Sequence, residues 1–373
     1  MFSDLPNCYY INTWEVIYIN ACTITVPTPD IYNSTELAKP GDRIPFTAKF
    51  VQTQLLLSRS DQEEPKTRGI KEKKQEKREY VRPPFNYTGG KYSLLPQILP
   101  LLPSNIGYFY DVFCGGCSVA VNTDAELVFC SDVNQPLVSM LRKVKEAGAG
   151  FPALVEWLVA QYSLTKTNEA GYLSLREYHN SLPDDSLLKG AALFTLLAFA
   201  FNHQIRFNKK GEFNTSFGKN RSSFNPTMQK NLDLFIENIP RLQFRDADFE
   251  TVIGGVIKSP QETREKSFVY CDPPYLISTA TYNESGGWNK EDDGRLFTCL
   301  DRCNERGVRF ALSNVTEHGG EVNALLVEWS GKYRTVRLDK KYENCSYHKK
   351  ERRAGTTEVL IVNYDKKGSL LLR

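Results

Sequence analysis

From Arg82 onward, short apolar runs alternate with stretches whose apolar positions recur every three or four residues. The runs at 109–112, 127–130, 268–271, 309–312 and 358–362 have the length and composition of buried strands. The helical period is clearest across 136–145, 187–201, 229–239 and 295–306. Strands alternating with helices predict an α/β fold with a largely parallel sheet covered on both faces. In such sheets, ligands bind beyond the carboxyl ends of the strands. The helical stretch at about 136–240 interrupts the alternation and reads as an inserted lobe. No internal repeat accompanies it.

Two other zones precede this pattern. Residues 1–57 carry β-branched and aromatic residues, including Trp14-Glu15-Val16-Ile17-Tyr18-Ile19, broken by Pro27, Pro29, Pro40 and Pro45. They predict a few short strands in an extension without recognisable chemistry. Residues 58–81 are dominated by charge of both signs, as in Lys71-Glu72-Lys73-Lys74-Gln75-Glu76-Lys77-Arg78. That composition reads as a solvated linker or exposed helix, with an arm touching DNA as the alternative. The main domain is then 82–373.

Composition changes this picture little. Of 373 residues, 41% are apolar and 24% charged, enough for a sizeable core. The net charge of +3 makes the chain no polycation, although a local basic stripe is enough to bind phosphate. Nine scattered cysteines read as reduced thiols in a cytoplasmic setting. Cys114 and Cys117 form a C-x-x-C and Cys299 lies four before Cys303, but neither pair has a nearby His or second Cys pair, so no metal is expected. No apolar run reaches the roughly 18 residues of a membrane span, so no membrane partner is expected.

Candidate chemistry begins at the first strand. Asp111-Val112-Phe113-Cys114-Gly115-Gly116-Cys117-Ser118 follows it, and small residues at a strand-to-helix turn let a ligand approach the backbone. The turn is neither a Gly-x-Gly-x-x-Gly fingerprint nor a phosphate loop. The next strand ends in Asp132, about 20 residues on, where an acid can accept both ribose hydroxyls of an adenosine. Asp132 is equally suited to cap the helix that starts near Gln135.

The sharpest signal is Asp272-Pro273-Pro274-Tyr275, directly after the strand at 268–271. Two prolines stiffen the loop and leave its carbonyls free. An aromatic amine is a poor nucleophile because its lone pair is delocalised into the ring. The Asp272 carboxylate and the Pro273 carbonyl, each accepting one amine hydrogen, would localise that pair. Tyr275 offers a face on which an extruded base can stack.

With these residues in view, 82–364 resembles the Dam-like (D12 class) adenine-N6 DNA methyltransferases. Four blocks fall in that family's order: Asn86-Tyr87-Thr88-Gly89-Gly90-Lys91-Tyr92, the Phe113 to Ser118 turn with Asp132, Arg206-Phe207-Asn208-Lys209-Lys210-Gly211-Glu212-Phe213-Asn214 with Phe217-Gly218, and the tetrapeptide. The resemblance implies a Rossmann-like methyltransferase domain with an inserted helical DNA-recognition lobe. It implies S-adenosyl-L-methionine as cofactor, contacted by Tyr87, Lys91, Asp132 and Asp272, with Phe113 and Gly115 lining the site and Asp248-Phe249 at the cofactor's adenine. Duplex DNA is the implied partner, with a cognate restriction endonuclease as a further one. Arg206 falls at a base-contacting arginine, which suits guanine O6 and N7, with a phosphate contact as its alternative. Asn208, Lys209, Lys210, Lys219 and Arg221 share that DNA-facing segment, while Phe207, Phe213 and Phe217 are expected to pack. Thr281-Tyr282-Asn283 and Gly286-Gly287-Trp288 resemble a loop over the flipped base, and Arg352-Arg353-Ala354 the basic approach to the final strand. One departure is Cys117, where many members have glycine; it either narrows the methionine pocket or replaces one small residue by another.

Two other readings share the tetrapeptide: an amino-methyltransferase acting on RNA or another nucleobase, and a catalytically silent DNA-binding relative. The early Gly-Gly-Lys block and the insert stand against the first, and intact Asp272 and Tyr275 against the second.

Overall fold

The computed structural model describes residues 79–85, 87, 89–277, 287–339 and 355–371, with the backbone of three short strands nearer the start. The charged run at 71–78, Asn86, Thr88, Thr281 to Gly286 and Arg352 to Ala354 lie outside the described residues. The chain divides into two compact units, Met1–Tyr80 and Val81–Arg373. In the first, β1 (Cys8–Tyr10) runs parallel to β3 (Cys22–Thr25), which pairs antiparallel with β2 (Val16–Ile19).

The second unit is built on one sheet. After the short helix α1 (Leu95–Ile98), β4 (Tyr108–Asp111) and β5 (Leu127–Asp132) run parallel in register Phe109 to Val128. The helices α2 (Gln135–Ala147), α3 (Phe151–Gln161), α4 (Glu169–Ser181), α5 (Leu187–Phe199) and α6 (Pro226–Asn238) follow before β6 (Leu242–Asp246). Next come α7 (Phe249–Lys258), α8 (Gln261–Lys266), β7 (Ser267–Cys271), α9 (Lys290–Glu305) and β8 (Arg309–His318). The chain then forms β9 (Glu321–Val322), α10 (Ala324–Ser330), β10 (Arg334–Leu338) and β11 (Thr357–Val362). Across the sheet the order is β10-β11-β8-β7-β4-β5-β6, with β9 paired to the end of β8. The strands from β8 to β6 are parallel, and β11 enters antiparallel between β10 and β8.

Sequence order reverses direction between β4 and β7, so a crevice opens at their carboxyl ends. Those ends carry a row of acids: Asp111 closes β4, Asp132 closes β5, Asp248 follows β6 by two residues, and Asp272 follows β7 directly. All five residues of β7 are buried, as expected for a strand covered on both faces. On one face, Ile253 of α7, Leu300 of α9 and Trp329 of α10 pack with Val269, Phe310 and Ile361 of the sheet. Within the helical insert α5 is buried from end to end, among α2, α3 and α4. Apart from Lys189, which reaches out to Asp184, its sequence is almost wholly apolar and offers no wet side.

The antiparallel β11 is fixed by one buried amide. Asn363 Oδ1 accepts from the Phe310 backbone N–H at 2.8 Å, while its Nδ2 donates to the Val308 carbonyl at 3.0 Å and Asn304 Oδ1 at 3.2 Å. Asn363→Leu would leave a buried N–H and carbonyl unpaired, each costing about 1–3 kcal/mol. Urea unfolding of this variant is expected to show a loss of about 2–3 kcal/mol; a loss below about 0.5 kcal/mol would remove Asn363 from that role.

Candidate functional site

The crevice is a cleft of ≈ 470 Å³ reached by the turn after β4, the ends of β5 and β7, the start of α7 and the residues before α9. Its lining includes Tyr87, Lys91, Phe113, Gly115, Asp132, Asp248, Phe249, Asp272, Pro273, Pro274 and Tyr275, so the sequence-predicted cofactor and catalytic residues converge.

Gly115 has φ +46, and a Cβ there would meet the Tyr87 ring at 2.8 Å, so the turn needs glycine on two counts. Asp132 Oδ2 accepts from the Gly115 N–H at 3.0 Å and Oδ1 from the Asn134 N–H at 2.9 Å. The helix cap is Asn134, whose side chain accepts from the Leu137 N–H, so Asp132 is not the cap of α2. Burial raises the Asp132 pKa against the pull of these backbone donors. Beside it, Asp111 is fully buried and its Oδ1 has no hydrogen-bond partner among the described residues. Burial first, and then the nearby Asp272 charge, push the Asp111 pKa well up.

Cys117, at φ +62, is buried beneath the turn and is absent from the cleft lining, so it substitutes a small residue and does not narrow the pocket.

An aromatic wall closes the β6 side. Phe113 and Phe249 stack at 5.4 Å, and Trp288 meets them at 5.4 and 5.7 Å. The ring of Trp288, expected in a loop over the target base, packs in this wall. Its indole N–H donates to the buried Asp293 at 2.7 Å, which also accepts from Asn323. Arg295 lies 5.2 Å over Phe249 and pairs with Glu250 at 2.7 Å and Asp292 at 2.9 Å. Asp248 caps α7 by accepting from the Glu250 N–H.

At the β7 end, Lys91 Nζ lies 2.7 Å from Asp272 Oδ1, donates to the Gly89 carbonyl at 2.8 Å and lies 3.7 Å from Glu358 Oε1. The Tyr275 hydroxyl reaches Asp272 Oδ1 at 3.2 Å and Glu358 Oε1 at 3.0 Å. Lys91 also sits 5.0 Å from the Tyr275 ring centroid. Its ammonium therefore donates to Asp272 and Gly89 while lining the cleft. Burial raises the Asp272 pKa, Lys91 opposes this, and Glu358 adds to it.

The basic segment forms a separate hairpin of the insert. Phe207 bridges Phe213, and Asn208 holds the turn by accepting from the Lys210 and Glu212 N–H groups and donating to Glu212. Arg206 donates to the side chain and backbone oxygens of Asn214 at 3.0 and 3.2 Å. Arg206, Lys209, Lys210, Lys219 and Arg221 are exposed, Phe213 and Phe217 buried, and Phe207 half-buried. None of these residues lines the cleft.

Sequence reasoning missed Asp111, Glu358 and Arg295. Asp111 had a signal, since it ends its strand as Asp132 ends the next. Glu358 had one too, as the lone charge opening an apolar run. Arg295 had none, because its partners meet only in three dimensions.

A family model described as D12 class N6 adenine-specific DNA methyltransferase matches residues 87–351. The chain is 39% identical over 292 residues to Type II methyltransferase M.FokI of Planomicrobium okeanokoites, covering 76% of this chain and 43% of that protein. It is 38% identical over 302 residues to Modification methylase StsI of Streptococcus sanguinis, covering 79% and 45%. A DNA adenine methylase of Vibrio cholerae is 30% identical over 236 residues, 62% of this chain and 80% of that protein. The chain thus spans less than half the length of the first two relatives.

Gly115 and Gly211 separate backbone strain from crowding, because a Cβ at Gly211 (φ +77) meets nothing within 4 Å. Gly211→Ala is expected to cost about 1 kcal/mol from its left-handed φ alone. Gly115→Ala adds overpacking against Tyr87 and is expected to lose a further ~1–3 kcal/mol in urea unfolding. Equal losses would mean Tyr87 does not pack on the turn.

Proposed function

The chain belongs to the D12 class of N6 adenine-specific DNA methyltransferases, and from that premise we propose that it methylates the N6 amine of an adenine in duplex DNA, with S-adenosyl-L-methionine as donor. The observation that carries this reading is the one-sided commitment of Asp272. Among the described residues, Lys91 and Tyr275 both lie at Oδ1, Oδ2 has no side-chain partner, and the Pro273 carbonyl accepts no backbone hydrogen bond. Two acceptors on a stiff loop are what an aromatic amine needs to localise its lone pair.

The donor set of the cleft fits the cofactor. Asp111 Oδ1, buried and unpartnered, calls for a cationic or hydrogen-bonding neighbour. S-adenosyl-L-methionine supplies a methyl group already activated on a sulfonium. Asp132 keeps a lone pair on each oxygen for ribose hydroxyls, and the Phe113–Phe249–Trp288 wall beside Asp248 suits a purine. Tyr87 and Gly115 shape the floor between them.

The protein's own contribution is positioning and electrostatics. Asp272 Oδ2 and the Pro273 carbonyl hold the two amine hydrogens, and Asp272 takes the proton that methylation releases. Lys91 lies 5.0 Å from the centroid of the Tyr275 ring, the aromatic group on which a base flipped from the duplex would stack. The exposed hairpin cations suit phosphate, and Asn214 presents the Arg206 guanidinium for a guanine edge, with Asn208 keeping the turn in shape. Relatives named Type II methyltransferase and Modification methylase support a cognate restriction endonuclease as functional counterpart. No helix among the described residues is long and apolar enough to cross a membrane, and the bacterial and phage relatives support a cytoplasmic setting.

Incubation with labelled cofactor and duplex DNA, then digestion to nucleosides, is expected to place all label in N6-methyladenine and none after Asp272→Ala; label in cytosine would overturn the reading. Asp272 must be ionised to accept an amine hydrogen, and burial raises its pKa. Activity is therefore expected to be full at higher pH and to fall, as pH drops, above the ordinary carboxylate range. Arg206→Ala is expected to relax discrimination at one base pair by about 1–3 kcal/mol, read by comparing methylation of single-base-pair variants of the preferred site.

A further inference from the structure

We propose that Glu358 is a positioning residue of the methyl-transfer site, holding the Tyr275 hydroxyl and sharing Lys91 so that Asp272 presents Oδ2 as a strong hydrogen acceptor. The inference rests on the adenine-methylation reading and assigns a role to a residue 83 positions after the Tyr275 it holds.

Four groups form a closed ring. Lys91 bridges Asp272 and Glu358, at 2.7 and 3.7 Å, and the Tyr275 hydroxyl bridges the same two carboxylates from the other side, at 3.2 and 3.0 Å. Glu358 is buried at 3% exposure, so its carboxylate has a cost to overcome that a structural strand position would avoid with an apolar residue. Every other residue of its strand from Val359 to Val362 is apolar and buried. A phenol has one proton, so when it goes to Glu358 at the shorter distance, the Asp272 carboxylate keeps more of its negative charge for the amine. Without Glu358 the phenol would donate to Asp272, and Asp272 would be the one carboxylate left beside Lys91. Both changes stabilise the ionised carboxylate and make it a weaker acceptor of the proton released by methylation.

The groups facing Asp272 are Lys91, Tyr275, Glu358, Tyr270 and Asp111. Of these, the Glu358 charge raises the proton affinity of Asp272 and Lys91 lowers it. Neutralising Glu358 therefore lowers the Asp272 pKa, and the acid side of the activity profile moves to lower pH.

The test compares wild type, Glu358→Gln and Glu358→Asp as full chains, with duplex DNA and S-adenosyl-L-methionine. Wild-type formation of N6-methyladenine comes first; its failure would sink the methylation reading, whatever the variants do. Given that activity, Glu358→Gln is expected to lower kcat by up to about 100-fold with little change in cofactor KM, and to move the acid limb to lower pH. Glu358→Asp keeps the charge but is one methylene too short for Tyr275, so it is expected to lower kcat with the acid limb near the wild-type position. An unmoved acid limb in a folded Glu358→Gln, or kcat within about twofold of wild type, overturns the proposal. If Glu358→Gln does not fold, Glu358→Asp decides: wild-type kcat would show that the hold on Tyr275 is dispensable and overturn it, and a reduced kcat with an unmoved limb would support it.

Discussion

A carboxylate taken out of water at the end of a buried strand stays charged only if the protein supplies a compensating partner, and Asp272 is built around that constraint. Its partner is Lys91, which arrives from a turn 181 residues earlier in the chain and is itself almost wholly buried. Neither charge is tolerable alone in this position. The pairing ties the segment before β4 to the loop after β7, and with them the two halves of the crevice. It also sets the chemistry, since it occupies one carboxylate oxygen and leaves the other free.

The sheet supplies the rest by geometry. Parallel strands deliver their terminal residues to one edge, so Asp111, Asp132 and Asp272 gather without any local sequence relation. Burial pushes all three carboxyls upward in pKa, and the charges of Asp272 and Asp132 add to the rise at Asp111, a cost that a cationic ligand relieves. The antiparallel β11 runs against its neighbour β8, and so its first residues, rather than its last, lie at the same edge. That reversal brings Glu358 to Tyr275.

Much of this was readable from residue order. The central strands are apolar runs because both of their faces are covered, and all five expected runs coincide with β4, β5, β7, β8 and β11. The strands without such a signal are β6 and β10, whose Leu-Gln-Phe-Arg-Asp and Arg-Thr-Val-Arg-Leu lie at the sheet's two edges and keep polar residues in solvent. Helices α3 and α4 fall inside the helical stretch expected at about 136–240, and each buries one stripe recurring every three or four residues, Phe151, Leu154, Val155 and Leu158 in α3 and Tyr172, Leu175 and Tyr178 in α4. At the site, the tetrapeptide and Asp132 were legible as strand-end chemistry. The Lys91 pairing, the Trp288 wall and the Glu358 contact were not, because each joins residues with no shared local pattern.

The central claim is that Asp272 meets the target amine with Oδ2 while Lys91 holds Oδ1. A crystal structure of the chain with duplex DNA and a non-reactive analogue of S-adenosyl-L-methionine tests it directly. The account predicts an unstacked adenine whose N6 lies about 2.7–3.2 Å from Asp272 Oδ2, with the Lys91 pair intact. An N6 atom bound elsewhere, or a Lys91 drawn off Asp272 onto the ligand, would contradict it.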